Sequence, residues 1–148
     1  MSTESLYRVA VAALIYNDKN QIILGARKNT RTACGLLSMP GGKNDQNEYS
    51  KTALARELQE ECGMNVSESD MEEITWAERP DQRFVCLIYG IKSNDVPENV
   101  EKDKNESWDF YDIDFIEENI SKTFLSKQVL DKIKSFLSEK STKEKNGH

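Results

Sequence analysis

The sequence predicts a domain of mixed α and β structure whose element order fits an α/β/α sandwich, with helices packed on the faces of a mixed β-sheet. Two apolar segments near the N-terminus, 7–16 and 21–27, flank a polar turn cluster and predict a β-hairpin. Residues 49–62 contain neither proline nor glycine and are dominated by helix-forming residues. Residues 124–137 carry an apolar stripe that predicts a terminal helix docked on the sheet.

Length and composition indicate one soluble domain. Of the 148 residues, 37% are hydrophobic and 31% are charged, which is enough apolar surface for a single core. The formal net charge of −6 disfavours non-specific binding to long nucleic acid or to an anionic membrane, because both need a basic surface. No apolar run approaches the roughly 18 residues of a membrane span, and no signal peptide is expected at the N-terminus.

The cysteine pattern favours free thiols. Cys34, Cys62 and Cys86 are odd in number and show no CxxC spacing. A disulfide framework or a zinc site is therefore disfavoured, and a reducing cytoplasm is the predicted location. The single histidine, His148, stands at the end of the chain, which removes histidine-based triads from consideration.

The remaining elements follow along the chain. The segment 7–16 is apolar throughout, so we expect a strand buried on both faces. In the terminal helix, Leu125, Val129, Ile133 and Leu137 recur every four residues, and the helix is predicted to begin at residue 124 or 125 and to end at residue 137. Further strands are predicted at 71–78, 83–92 and 106–113, with a helical turn at 114–119.

The chain ends are predicted to lie outside the packed domain. Residues 1–6 are polar and are expected to be flexible, and residues 138–148 form a charged stretch that is expected to fray. These boundaries leave residues 7–137 as one domain. No internal repeat and no linker divides it further.

The helix at 49–62 has recognisable ends. Asp45 or Asn47 is expected to cap its start, because short polar side chains accept hydrogen bonds from the first free N–H groups. Gly63 stands where a left-handed glycine would end the helix.

Three glutamates crowd the last turn of this helix. Glu57, Glu60 and Glu61 lie at positions i, i+3 and i+4, so they share one face. They repel one another, and the negative end of the helix dipole disfavours them as well. Two interpretations remain open at this point: a solvated charged face, or a site for a divalent cation, since Mg²⁺ prefers carboxylate oxygens.

A longer pattern surrounds the three glutamates. Gly42, then Glu48, then residues 56–64 (RELQEECGM) match G-x5-E-x7-R-E-U-x-E-E-x-G-U at every specified position, where U is a bulky apolar residue. A chance match in a chain of this size has a probability on the order of 10⁻⁷. Residues 42–64 therefore closely resemble the Nudix box, and residues from about 7 to 137 more weakly resemble a small MutT-like Nudix domain. The resemblance names the α/β/α sandwich directly, whereas periodicity alone gives only mixed α and β structure.

The resemblance implies hydrolysis of a nucleoside diphosphate linked to another group, with Mg²⁺ or Mn²⁺ as the cofactor. It implies that Glu57, Glu60 and Glu61 ligate the metal and serve catalysis. Arg56 and Glu48 receive organising roles. The backbone of Gly41 and Gly42 is expected to close the metal site, with the Gly41 carbonyl as a further ligand.

The general base is either a box glutamate or a glutamate from a later loop, because both arrangements occur among relatives. The loop before Trp108 offers Glu98, Glu101 and Glu106. By its spacing ahead of the tryptophan, Glu101 best matches the late glutamate of MutT-like relatives. The alternative is that Glu101 is one solvated acid among many.

The substrate prediction depends on residues outside the box. The loop at 28–37 carries Lys28 and Arg31 and is either a solvated loop or a rim that faces phosphate. Arg27 is the better candidate, because in MutT-like enzymes an arginine at the corresponding strand end contacts the nucleotide.

Three apolar residues are candidates for a base pocket. Phe124 and Leu125 stand where nucleoside-triphosphate-cleaving Nudix proteins contact the base near the start of the terminal helix, and Phe84 on its strand is a third candidate. For each of the three, a plain core position is the alternative, since buried aromatic and aliphatic residues are common.

The leading functional prediction is a Mg²⁺-dependent nucleoside (deoxy)triphosphate pyrophosphatase that acts in nucleotide housekeeping. Hydrolysis of a nucleotide sugar or a dinucleotide polyphosphate is one alternative, and a nucleotide-sensing module without catalysis is another. The intact acidic cluster disfavours the sensor, and the acidic net charge disfavours mRNA decapping. The expected partner is a small nucleotide, without long nucleic acid or membrane, and a homodimer is left open.

Overall fold

One mixed β-sheet organises the chain, for which the computed structural model describes residues 6–30 and 34–146. Among these residues the sheet has seven strands. The strands are β1 Arg8–Tyr16, β2 Gln21–Arg27, β3 Leu37–Ser38, β4 Gly41–Lys43, β5 Glu72–Arg79, β6 Phe84–Lys92 and β7 Asn105–Asp112. The helices are α1 Ser50–Cys62, α2 Ile113–Glu118 and α3 Lys127–Asn146, and short 3₁₀ turns lie at Glu68–Asp70 and Ile120–Lys122.

Strand β1 is the centre of the sheet. The strands run in the order β3-β2-β1-β6-β5, with β4 paired to β1 and β7 paired to β2. The β1–β6 pair is parallel and the other pairs are antiparallel. The early part of β1 pairs with β4, where Ala12 lies opposite Gly41, whereas Tyr16 at its end pairs with Ile22 of β2. This change of partner places Gly41 and Gly42 beside β1 and beneath α1.

Both faces of the sheet are covered, which confirms the predicted sandwich. On one face, Val11, Ala13 and Ile15 pack with Leu54 and Leu58 of α1. On the other face, the alternate residues of β1 pack against α2 and α3, namely Ala12, Leu14 and Tyr16 with Ile116, Leu130 and Ile133. The prediction that β1 is buried on both faces is therefore confirmed for its second half. Its first residues, Arg8 and Val9, are exposed.

The predicted box helix is confirmed, with one correction at its start. Gly63 adopts a left-handed conformation with φ of 62°, and its N–H bonds back to the last turn. The start is different, because Tyr49 occupies the N-cap position and no side chain caps the helix there. Asn47 itself has a positive φ of 64° and belongs to the preceding turn.

The predicted bounds of the terminal helix are wrong at both ends. Ser126 accepts a hydrogen bond from the Val129 N–H at 3.2 Å, so the helix begins after this serine, while Phe124 and Leu125 remain in the preceding segment. The helix then continues to Asn146 instead of ending at Leu137. The physical reason is composition: residues 138–146 lack glycine and proline and are rich in Lys and Glu, which favour helix without needing a packed face.

Some predictions fall outside the described residues. Of the predicted flexible segment 1–6, only Leu6 is described, and it is exposed. Residues 147–148 of the predicted tail also lie outside the described part. Among the residues that are described, no helix combines the length and the hydropathy needed to cross a membrane.

Candidate functional site

An open cavity of about 900 Å³ connects the acidic end of α1 with the segment before α3. Ten of the predicted site residues line it: Arg27, Gly41, Gly42, Glu57, Glu60, Glu61, Phe84, Glu101, Phe124 and Leu125. Glu48 and Arg56 stand behind this lining. A second cavity of about 860 Å³ lies near Tyr16, Lys92 and Lys140 and is lined by none of the predicted site residues.

Arg56 links the acidic groups around the start and the end of the box. Its guanidinium donates two hydrogen bonds to the Glu48 carboxylate, at 2.9 and 3.0 Å. It also donates to Glu57 Oε1 at 3.1 Å and to Glu60 Oε2 at 3.3 Å. The hydrogen bonds from Arg56 lower the pKa of Glu48. One cation therefore orients three carboxylates and offsets part of their mutual repulsion.

Glu57 lies directly against the Gly42 backbone. A Cβ atom at Gly42 would stand 2.6 Å from both Cδ and Oε1 of Glu57, which is shorter than a van der Waals contact. Any larger residue at Gly42 would displace this carboxylate. Burial raises the pKa of Glu57, although the neighbouring Arg56 opposes the rise.

Glu61 is the most deeply placed of the three box glutamates. Its Oε2 accepts a hydrogen bond from the Gly41 N–H at 2.9 Å. Burial, helped by the negative charges of Glu57 and Glu101, nevertheless raises the pKa of Glu61 to about 8, and the positive charge of Arg27 opposes this rise. The chain by itself therefore does not supply enough positive charge to keep this carboxylate ionised at neutral pH.

The donor set fits a hard divalent cation. Carboxylate and carbonyl oxygens are the ligands that Mg²⁺ and Mn²⁺ prefer, and Glu61 is a buried acid without a full counter-charge. The described side chains do not form a preassembled cage, however: no three acidic, cysteine or histidine groups among them converge on one point. Arg56 engages Glu57 and Glu60, so a cation would compete with this arginine for two of its ligands.

Glu101 faces the box acids from the loop that precedes β7. Its side chain is 31% exposed, and its charge contributes to the raised pKa values of both Glu57 and Glu61. Of the three loop glutamates, only Glu101 is among the residues that line the cavity. Glu98 is exposed, and Glu106 is 61% exposed and lies 4.0 Å from the Lys28 ammonium.

Cationic groups stand at the acidic end of the cavity. Arg27, Lys43 and Lys104 line it together with the glutamates. The Arg27 Nε atom is buried and has no hydrogen-bond partner among the described residues. This donor is therefore available to a bound oxygen if the guanidinium shifts. Arg31, the other arginine considered from the sequence, lies outside the described residues.

The opposite end of the cavity is largely apolar. Phe84, Cys86 and Ile88 of β6 line it together with Phe124 and Leu125. Leu125 is only 8% exposed and also belongs to the core on the α3 face of the sheet. The core interpretation therefore holds for Leu125 alongside its position in the cavity wall.

Arg79 is a cavity residue that the sequence analysis missed. Its guanidinium lies over the Phe124 ring at 4.2 Å from the ring centre and donates a hydrogen bond of 2.9 Å to the Phe124 carbonyl. The strand pattern carried a signal, since Arg79 follows Ala77 by two residues and both line the cavity. This pattern does not show which strands lie beside the segment that precedes α3.

The sequence of this chain is similar to that of known proteins. Residues 6–132 match the family described as the NUDIX domain. A protein named 8-oxo-dGTP diphosphatase from Proteus vulgaris is 33% identical over 83 residues, which cover 55% of this chain and 74% of that protein. The Escherichia coli (strain K12) protein of the same name is 30% identical over 79 residues, which cover 53% of this chain and 61% of that protein.

Solved structures show the same fold. The MutT NUDIX hydrolase from Burkholderia pseudomallei superposes with a TM-score of 0.64 at 27% identity, covering 72% of this chain and 84% of that one. The MutT protein from Methanosarcina mazei Go1 superposes with a TM-score of 0.70 at 24% identity, covering 94% and 99% of the two chains. Both similarities extend well beyond the helix that carries the three glutamates.

Proposed function

Because the chain belongs to the NUDIX domain family, we propose that it is a Mg²⁺- or Mn²⁺-dependent nucleoside (deoxy)triphosphate pyrophosphatase that releases the monophosphate and pyrophosphate. The family membership confirms the resemblance found in residues 42–64, and it makes the chain a Nudix hydrolase. The choice of substrate and of metal is the proposal.

The observation that carries the proposal is the shape of the cavity. At one end, the box glutamates and Glu101 stand with Arg27, Lys43 and Lys104, a mixture suited to metal-bound phosphates. At the other end, Phe84 and Phe124 offer aromatic surface to a nucleobase. A volume of about 900 Å³ falls within the usual size range for small-molecule sites, so one nucleotide can occupy both ends.

Each site residue receives a role from its contacts. Glu57, Glu60 and Glu61 would hold the metal, with the Gly41 carbonyl as a further ligand. When bound, the metal would neutralise phosphate charge and lower the pKa of a water molecule. Arg56 and Glu48 keep the carboxylates oriented, and Gly42 leaves room for Glu57.

Glu101 is the proposed general base. It faces the box acids and remains partly exposed, so it can accept a proton from a water molecule held between the loop and α1. Arg27 would bind phosphate oxygens through its unpartnered Nε. Phe84, Phe124 and Leu125 would contact the base.

The relatives suggest which nucleotide to test first. Both curated relatives described above are named for 8-oxo-dGTP, which makes oxidised purine deoxynucleotides the leading candidates. We also assign the protein to the cytoplasm, because Cys34, Cys62 and Cys86 are free thiols.

One assay tests the function. The purified protein is incubated with Mg²⁺ and a panel of 8-oxo-dGTP, ordinary nucleoside triphosphates, nucleotide sugars and dinucleotide polyphosphates, and released pyrophosphate is scored against released phosphate. Pyrophosphate with nucleoside monophosphate supports the proposal, and Glu57→Gln should reduce this turnover by at least about 10²-fold. Turnover confined to nucleotide sugars or dinucleotide polyphosphates would contradict the proposal and would identify a hydrolase of those substrates instead. Binding without any turnover identifies a sensor.

A further inference from the structure

The loop that carries Glu101 is closed on itself by two asparagines. Within residues 99–105, called here the Glu101 loop, the Glu101 carbonyl accepts hydrogen bonds from the N–H groups of Lys104 at 3.0 Å and Asn105 at 3.2 Å. The Asn99 side chain donates to the carbonyls of Asn105 at 2.9 Å and Glu106 at 3.2 Å. The loop therefore forms a tight turn whose two ends are joined by a side chain.

Asn105 fixes one end of this turn inside the protein. It is only 6% exposed, although its side chain is polar. Its amide nitrogen reaches the Asn99 oxygen at 3.5 Å, while its own Oδ1 is buried without a hydrogen-bond partner among the described residues. Buried polar atoms are rarely left unpaired, so one that is requires an explanation.

The Asn105 side chain fits only because residue 25 is a glycine. A Cβ at Gly25 would stand 2.5 Å from Asn105 Oδ1 and 2.6 Å from its Nδ2. Asn105 also lies opposite Arg27 across the β2–β7 pair, at the point where the register shifts between Gly25 and Arg27. The buried amide is therefore wedged against the strand end that presents Arg27 to the cavity.

The loop is also tied to α1 and to the residues after β2. The Val100 N–H donates to the Glu61 carbonyl at 3.1 Å. The Lys28 N–H donates to the Lys104 carbonyl at 3.0 Å, and the Asn29 side chain donates to the Asp103 carbonyl at 2.9 Å. Glu101 is therefore held between the helix that carries the box acids and the strand that carries Arg27.

We propose that Asn105 is a positioning residue, which acts by fixing Glu101 opposite the box glutamates. This proposal depends on the proposed function, in which Glu101 accepts the proton. Asn105 lines neither end of the cavity, so its effect on the reaction passes through the loop. Removal of the Asn105 side chain takes away its packing against Gly25 and its contact with the Asn99 oxygen, while the metal ligands on α1 stay in place.

The central test combines kinetics with a double-mutant cycle. Asn105→Ala should lower kcat on the order of 10²-fold, the cost of a misplacement of about 1 Å, and leave KM within about threefold. In the Glu101→Gln background, Asn105→Ala should lower kcat little further, because the carboxylate that Asn105 positions is already absent. Full additivity of the two losses would overturn the proposal, as would full activity of either single variant.

Two further measurements separate positioning from a general loss of structure. Hydrogen exchange of the Lys104 and Asn105 amides should accelerate in the variants while exchange of the α1 amides stays unchanged. Mn²⁺ affinity should also stay unchanged. Asn119→Ala is the matched control, because Asn119 also donates a side-chain hydrogen bond to a backbone carbonyl, that of Phe115, but lies outside the cavity lining.

A second variant tests the positioning role of Asn105 if the first variant is unstable. If Asn105→Ala does not fold, Asn99→Ala removes the other side-chain tie of the turn from a half-buried position, and it should reproduce the fall in kcat and the faster exchange. If the wild-type protein hydrolyses no nucleotide, the proposed function fails, and the assignment of Asn105 to a positioning role falls with it. Faster exchange would then show only that Asn105 orders the loop. Unchanged loop exchange in an active enzyme would overturn the positioning role alone.

Discussion

Glu48 and Glu61 show how two carboxylates of one motif acquire opposite pKa shifts from their surroundings. Hydrogen bonds from Arg56 lower the pKa of Glu48, whose side chain is 13% exposed. Burial raises the pKa of Glu61 to about 8, from a usual value of 4.5, despite the hydrogen bond from Gly41. At neutral pH the metal-free protein therefore keeps a proton on Glu61, and this proton must leave when a cation binds.

This difference predicts a pH dependence of stability in the absence of metal. Between about pH 4.5 and pH 8 the folded protein holds a proton on Glu61 that the unfolded chain has released, so the free energy of unfolding falls as the pH rises through this window. The stabilisation from protonated Glu61 is complete below about pH 4.5 and is lost above about pH 8. Urea unfolding in EDTA at several pH values should show the fall.

Glu61→Gln provides the control for this pH dependence. Glutamine keeps the shape of the protonated acid but does not titrate, so the slope should flatten in this window. Glu60→Gln should retain it, because Glu60 is 52% exposed and is paired with Arg56. An unchanged slope in Glu61→Gln would show that other groups cause the pH dependence.

Arg79 supports the apolar end of the cavity through Phe124. The stacked guanidinium and the hydrogen bond to the Phe124 carbonyl hold the segment that leads into α3. Arg79→Gln should raise KM for the nucleotide by about tenfold, which corresponds to roughly 1.4 kcal/mol, while kcat changes little because the acidic end is untouched.

Arg83→Gln is the matched comparison for Arg79. Arg83 lies in the turn that follows β5, is exposed and does not line the cavity, so the KM of this variant should stay near that of the wild type. Equal effects of the two substitutions would indicate a long-range charge effect and would remove the Phe124 segment from the binding site.

At the scale of elements, local signals predicted α1 well and α3 poorly. The composition and the final glycine of α1 lie within one short stretch and indicated its bounds to within one residue, although the predicted side-chain cap at its start is absent. For α3, the apolar stripe marked only the part of the helix that packs against the sheet. The prediction assumed that the helix has the same bounds as this packed part. The Ser126 cap and the helix-forming charged residues after Leu137 were signals independent of that stripe.

Packing and helix length therefore make separate contributions in α3. Leu130 is 1% exposed, and Leu130→Ala should lower the free energy of unfolding by about 2–5 kcal/mol. Deletion of residues 141–148 removes helix whose first residues, Ser141 and Thr142, are exposed, and should cost less than about 1 kcal/mol. Urea unfolding measures both changes. A deletion that costs as much as Leu130→Ala would show that the end of α3 is packed.

At the scale of the whole molecule, the acidic half of the site was predictable and the cavity was not. The box glutamates, Gly42 and Arg56 lie within one motif, in which helical spacing brings Arg56 to Glu57 and Glu60 on α1. The apolar half joins β5, β6 and the segment before α3, which the sequence separates widely. Arg79 meets Phe124 because β5 occupies the edge beside β6, a neighbour relation that hydrophobic periodicity does not contain.

The joined cavity makes metal binding a property of the folded chain. The unfolded chain does not hold Glu57 beside Gly42 and Glu61 beside Gly41, so a cation that uses this geometry stabilises the folded state only. At about 100 times its dissociation constant, Mg²⁺ or Mn²⁺ should add about 2.7 kcal/mol to the free energy of unfolding. A rise of several degrees in Tm over the EDTA-treated protein would report it.

A net charge of −6 complicates this measurement, because any salt screens the mutual repulsion of an acidic protein. NaCl at matched ionic strength sets the level of that screening. Glu57→Gln should abolish the metal-specific part of the rise, whereas Glu118→Gln, an exposed acid on α2, should leave it intact. If NaCl reproduces the whole shift, or if Glu57→Gln retains it, the box glutamates do not hold the cation and the metal-dependent mechanism is wrong.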